Sequence, residues 1–112
     1  MASREQFIES VIHLLEEKGF SGEDGHYTLQ MVLTRPGKTI IINGRQINEP
    51  AKDITVELVV DIVGDGYIAD KDDNIEREFT SIRFSMGSGA YEECFYWDEI
   101  EYFEQIFNKI VR

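Results

Sequence analysis

The stretch ITVELVVDIVGDGYIADKDDNIEREFTSIRFS, residues 54–85, decides the fold of this chain. In its first part every second side chain is apolar, from Ile54 to Ile62, and this alternation predicts an extended strand. The acidic segment that follows favours a turn, because Gly, Asp and Asn accept turn conformations. Alternation then resumes in IEREFTSIRFS. We therefore predict a long antiparallel hairpin with an acidic tip, and Gly64 and Gly66 predict a bulge in its first strand.

Two amphipathic helices are predicted at the two ends of the chain. Between residues 3 and 18 apolar residues recur at three- and four-residue spacing, Ser3 and Gln6 match a capping box, and Gly19 is expected to end the helix. The same spacing recurs after Asp98, which we expect to cap the second helix together with Glu101.

Shorter strands are predicted on both sides of the hairpin, at residues 27–35, 38–43, 45–48 and 91–97, with a loop at 20–26. Pro36-Gly37 favours a type II turn, and Asn43-Gly44 favours a type I′ hairpin turn. The run KTIII at 38–42 is apolar enough to predict a central strand.

All strand connections are short, which predicts a mainly antiparallel sheet with both helices on one face. We predict a single α+β domain over residues 1–112. Its fold is a two-layer sandwich with five to seven strands, in the order α-β-β-β-β-β-β-α.

The charge of the chain is strongly acidic and unevenly distributed. There are 22 acids and 11 bases, a net charge of −11, and residues 53–104 hold fifteen of the acids but only three bases. This balance weighs against direct binding of nucleic acid or of an anionic membrane, since both need basic residues. It favours a basic partner or a cation, although a plain solvated acidic face stays open as an alternative.

No catalytic or cofactor signature is visible, and we predict neither enzymatic activity nor a cofactor. The turn at 70–74 has the D-x-D-x-N start of an EF-hand loop. However, Ile75 and Ser81 stand where glycine and a bidentate glutamate are needed, so no metal site is predicted and weak cation binding remains an alternative. The single cysteine, Cys94, is expected to be buried, and it favours a reducing compartment. Because no apolar signal core or membrane-length segment is present, we expect a cytoplasmic protein.

Aromatic residues are concentrated in the acidic part of the chain, where seven of the 13 fall between residues 91 and 107. Carboxylates steer a basic partner and aromatic side chains anchor it. We therefore predict a small binding protein that inhibits or regulates a basic, nucleic-acid-handling protein. Its size, fold class and acidity are those of phage and mobile-element inhibitors of the anti-CRISPR or anti-restriction type. The predicted partner-binding residues are Asp70, Asp72, Asp73, Glu76, Glu78, Glu92, Trp97, Asp98 and Glu101.

Two further functions remain open at this point. The same charge pattern suits an immunity protein or antitoxin that neutralises a basic toxin. It also suits an accessory domain that forms a homodimer or larger homo-oligomer through an edge strand, in which case acidity serves only solubility.

Overall fold

The computed structural model describes residues 2–111 and confirms the α+β class, with antiparallel strands between two terminal helices. Within the described residues the elements are α1 Arg4–Glu17, β1 Ser21–Glu23, β2 His26–Arg35, β3 Lys38–Ile42, β4 Arg45–Glu49, β5 Lys52–Ala69, β6 Ile75–Met86, β7 Gly89–Tyr96 and α2 Ile100–Ile110. Five of these strands form one antiparallel sheet in the order β1-β2-β5-β6-β7, and β3 and β4 form a separate two-stranded ribbon. The short strand β1 lies within the segment predicted as a loop.

The core lies between the two helices and one face of the five-stranded sheet. Residues paired in an antiparallel ladder point to the same face, so the register of β2, β5, β6 and β7 aligns their buried side chains. The other face of the sheet carries polar and charged side chains. The buried apolar residues are Phe7, Val11, Leu15, Phe20, Tyr27, Leu58, Val60, Ile82, Phe84, Phe95, Phe103, Phe107 and Val111.

Several local predictions agree with the structure. Ser3 and Gln6 form the capping box, and Gly19 follows α1 with a φ of 94°. Asn43 and Gly44 both have positive φ, as a type I′ turn requires. The register of the β5–β6 ladder shifts between Ile62 and Gly64, which is the predicted bulge.

The predicted cap of α2 is wrong. The residue before the helix is Glu99, and no side-chain hydrogen bond caps this end. The carboxylate of Asp98 instead accepts a hydrogen bond from Arg77, with Nη2 and Oδ1 2.9 Å apart. A charged partner across the sheet therefore outcompetes the local backbone N–H groups for this side chain.

The predicted turn at Pro36-Gly37 and the central position of KTIII are also wrong. β2 pairs directly with β5 as far as Arg35 and Lys52, and the β3–β4 ribbon extends from the end of that ladder. Pro36 and Pro50 lack N–H donors and interrupt pairing at this point. We call residues 32–55 the arm. With it the molecule measures 71 × 32 × 22 Å and has a radius of gyration of 19.9 Å, against about 13 Å for a compact chain of this length.

Candidate functional site

The tip of the β5–β6 hairpin, residues 70–74, presents two free carboxylates on a turn closed by a third. Oδ1 of Asp70 accepts hydrogen bonds from the backbone N–H groups of Asp72 at 2.8 Å and Asn74 at 3.0 Å. The N–H of Asn74, followed by that of Asp72, lowers the pKa of the Asp70 carboxyl. Asp72 and Asp73 are exposed, and within residues 2–111 neither is in an ion pair. Asp70 therefore shapes the tip, while Asp72 and Asp73 are available to a partner.

A groove of about 450 Å³ lies next to the tip and contains four of the predicted site residues. It runs along the start of β6 and is closed by the turn between β7 and α2. In the part of the chain described, β7 pairs with β6 only from Phe79 onward, so residues 75–78 present an unpaired strand edge to the groove. Its lining residues are Ala2, Ile75, Glu76, Arg77, Glu78, Tyr96, Trp97 and Asp98.

Arg77 holds two walls of this groove together. Its guanidinium carbon lies 3.5 Å from the centre of the Tyr96 ring, and it also pairs with Asp98. This cation–π contact and ion pair use the positive charge of Arg77 within the protein. Glu76 and Glu78 are exposed and take part in no ion pair of residues 2–111, so the groove keeps a negative charge.

Trp97 is half-buried and is fixed in place by a chain of polar contacts. Its Nε1 donates to Oγ1 of Thr80 at 3.0 Å, and that hydroxyl donates to Oδ1 of Asp65 at 2.7 Å. Asp65 in turn pairs with Arg4, Nε to Oδ2, at 2.6 Å. The indole also packs against the core. It therefore offers the groove a rigid partial surface rather than a free aromatic anchor.

The other predicted site residues lie elsewhere. Glu92 is on the open face of the sheet and pairs with Arg83 at 3.7 Å. Glu101 is exposed on the first turn of α2 and does not line the groove. Sequence reasoning missed the contribution of Ile75, Arg77 and Tyr96. The alternation of β6 puts Ile75 and Arg77 on one face of the strand, but the end of β7 that opens the groove has no sequence signal of its own.

A second titratable cluster lies at the sheet edge beside α2. The hydroxyls of Tyr91 and Tyr102 both donate to Oε2 of Glu93, at 2.5 and 3.0 Å. The bond from Tyr91 is the main cause that lowers the pKa of Glu93, and the same bond raises the pKa of Tyr91 to about 12. The bond to Glu93 also raises the pKa of Tyr102. The cluster ties β7 to α2.

We predict that Glu93→Gln lowers Tm at pH 7 by about 2–4 °C, because an ionised acceptor is replaced by a neutral one. Because folding lowers the pKa of Glu93, its hydrogen bonds add to folding stability at pH values above the ordinary pKa of 4.5. This contribution is lost as the pH falls through the pKa of Glu93 in the folded protein. The Tm gap between wild type and variant should therefore close in acid. The raised pKa of Tyr91 contributes fully below pH 10 and is lost as the pH rises to about 12. Thermal melts across the pH range measure both effects.

The matched control is Glu92→Gln, at the next residue on the opposite face. Its 3.7 Å pair with Arg83 is long, so we expect a Tm change below about 1 °C. A gap for Glu93→Gln that widens toward acid would contradict the assignment.

Other candidate sites carry less chemistry. Among the described residues, no three His, Cys, Asp or Glu side chains are placed to hold a metal ion together. Cys94 was expected to be buried, but it is exposed on the open face beside Ser81, because alternation places its neighbour Phe95 in the core. Across residues 2–111, neither helix has the length and apolar character needed to cross a membrane.

Comparison with known proteins adds no relative: no protein-family model, curated protein or solved structure matches this chain.

Proposed function

We propose that this chain is a non-enzymatic binding protein whose acidic end occupies a basic, nucleic-acid-binding groove of a partner protein. The acidic end comprises the tip at 70–74 and the adjoining groove. The observation that carries the proposal is the segregation of charge. Four exposed carboxylates gather there without an ion-pair partner among residues 2–111, whereas Arg77 is already paired with Asp98 and Lys71 is the one other base of the acidic end. They belong to Asp72, Asp73, Glu76 and Glu78.

The arrangement of these four carboxylates suits a basic groove that binds the phosphates of nucleic acid. Residues two apart along a strand are separated by about 6.6 Å and point to the same side. Glu76 and Glu78 therefore extend the charges of the tip into a row along the edge of β6. A row of fixed charges attracts a basic surface at long range, and it increases the association rate more than it increases the final affinity.

The groove adds contacts that are not electrostatic. Ile75 is well exposed, and the rims of Tyr96 and Trp97 provide aromatic surface already held by Arg77 and Thr80. Side chains held in place before binding lose little conformational entropy on association. The exposed lone thiol of Cys94 supports a reducing compartment, the cytoplasm, as the place of action.

The test is affinity capture from the native host with wild type and an acidic-end variant. The variant is Asp72→Asn, Asp73→Asn, Glu76→Gln and Glu78→Gln, in which the asparagine at 73 keeps a residue type that accepts the φ of 61° found there. We expect wild type to capture a nucleic-acid-binding protein, and we expect added nucleic acid to release that protein from the chain. Its affinity for the variant should fall on the order of tenfold or more, mainly through a slower, salt-dependent association rate.

The control variant carries the same change in net charge elsewhere. It neutralises four exposed glutamates outside the acidic end: Glu9, Glu16, Glu23 and Glu104. The proposal requires this control to keep wild-type binding. Equal losses in both variants would show that overall acidity, and not the acidic end, attracts the partner. Capture of proteins indifferent to nucleic acid would contradict the proposal outright.

A further inference from the structure

The molecule, with its extended arm, exposes an unusual amount of surface. A compact monomer of 13.0 kDa is expected to expose about 6,300 Å², whereas this chain exposes 8036 Å², a surplus of about 1,700 Å². A standard protein interface covers about 800 Å² on each partner. The surplus is therefore large enough for a stable interface.

Part of this exposed surface is apolar and lies on the arm. Of the 13 large hydrophobic residues exposed within residues 2–111, six are aliphatic residues of the arm, and Ile41 is the most exposed of them at 73%. A two-stranded ribbon without a covering layer is at best marginally stable in water. The exposed aliphatic residues of the arm are Val32, Leu33, Ile41, Ile42, Ile47 and Ile54.

The arm also differs in charge from the rest of the chain. Residues 32–55 hold four bases and two acids, a net charge of +2. Since the whole chain has a net charge of −11, the remaining residues have a net charge of −13. At the base of the arm Arg35 and Lys52 are register partners, and two like charges lie directly opposite each other. Within residues 2–111 neither of them is in an ion pair. A carboxylate-rich surface placed against this point would relieve the repulsion.

We infer that the arm binds a second copy of this chain. Its aliphatic side chains lie against the body of that copy, and Arg35 and Lys52 face its carboxylates. Pairing of two arms with each other would bring like charges together, whereas arm against body brings +2 against −13. A two-fold arrangement lets both copies exchange arms in one closed dimer, which covers the surplus of each. The arm itself lies at the end of the molecule opposite the acidic tip, and the inference does not rest on the function proposed above.

Two arm variants test the inference without disrupting the ribbon. Arg35→Glu places a carboxylate opposite Lys52, and Ile42→Asp places one opposite Arg45, its register partner. Each creates a favourable cross-strand pair in the free monomer, so neither should lower folding stability. The control is Ile68→Asp, again an exposed isoleucine opposite an arginine, here Arg77, but at the other end of β5.

The measurement is sedimentation equilibrium of the whole chain across a wide concentration range, with thermal melts to verify folding. We expect a concentration-dependent dimer for wild type. Each arm variant should raise the dissociation constant about tenfold or more, whereas Ile68→Asp should change it by less than about twofold. A wild type that stays monomeric overturns the inference. So do arm variants that dimerise normally, a control that weakens association equally, or a monomeric chain whose arm binds a different protein.

Discussion

Phe103→Ala should lower the free energy of unfolding by about 3–5 kcal/mol, the largest effect we expect from one substitution. Phe103 is fully buried, and its ring centre lies 5.5 to 5.9 Å from those of Phe84, Phe95 and Phe107. It therefore joins α2 to β6 and β7 at the centre of the core. Since small domains are stable by only about 5–15 kcal/mol, this loss is a large fraction of the total. Urea denaturation followed by circular dichroism measures it.

The control for Phe103 is an exposed aromatic residue. Tyr67 is 60% exposed on β5, three residues before the tip, so Tyr67→Ala should cost less than about 1 kcal/mol. Phe103→Leu should fall between the two, because leucine fills part of the cavity. A cost for Phe103→Ala as small as that for Tyr67→Ala would mean that α2 is not packed on the sheet.

Thr80→Val should cost about 2–3 kcal/mol, although valine has nearly the same shape. Thr80 is fully buried, and its hydroxyl accepts from Trp97 and donates to Asp65. Valine leaves the indole N–H without its acceptor in a partly buried position. Water can still reach Asp65, whose side chain is 42% exposed, so most of the cost falls on Trp97. Chemical denaturation measures the change.

A double-mutant cycle isolates that bond. Thr80→Val made in a Trp97→Phe background should cost about 1.5–2 kcal/mol less than in wild type, since the N–H is no longer present. Thr80→Ser keeps the hydroxyl and should lose less than Thr80→Val. If the cost is the same in both backgrounds, the hydrogen bond contributes nothing and Trp97 is held by packing alone.

The long hairpin could be predicted because alternation over many residues specifies both strand and face. The same alternation does not reveal what covers a face. Leu58 and Val60 are buried under the helices, whereas Ile54, on the same side of the same strand, is exposed. Whether a residue of this strand is buried or exposed depends on where the helices end above the sheet, and local sequence does not determine that tertiary arrangement.

The arm shows the same limit more strongly. Ile40, Ile41 and Ile42 have the composition of a central strand, yet β3 pairs with β4 alone within the described residues. A strand that is covered by another chain and a strand that is buried in its own core require the same apolar side chains. Composition therefore predicted a buried central strand, which is wrong within residues 2–111, because composition alone does not show whether the rest of the chain covers the strand.

The candidate site was predictable in part. Glu76, Glu78, Trp97 and Asp98 were chosen for charge and aromatic content, and they line one groove because β6 and β7 are neighbours in a meander. Glu92 is separated from them by its position along β7, four residues before Tyr96, where it lies beside Arg83. Local sequence could not show this, because it does not reveal where the pairing of β7 with β6 ends.

Strand β5 sets the distance between the two ends of the molecule. It is one continuous strand of 18 residues, and at about 3.3 Å per residue it spans nearly 60 Å from Lys52, within the arm, to Ala69, beside the tip. Removing one residue would turn every side chain beyond that point to the opposite face. Removing two would shorten the distance by about 7 Å and keep the faces unchanged. The spacing between the ends can therefore change only in steps of two residues.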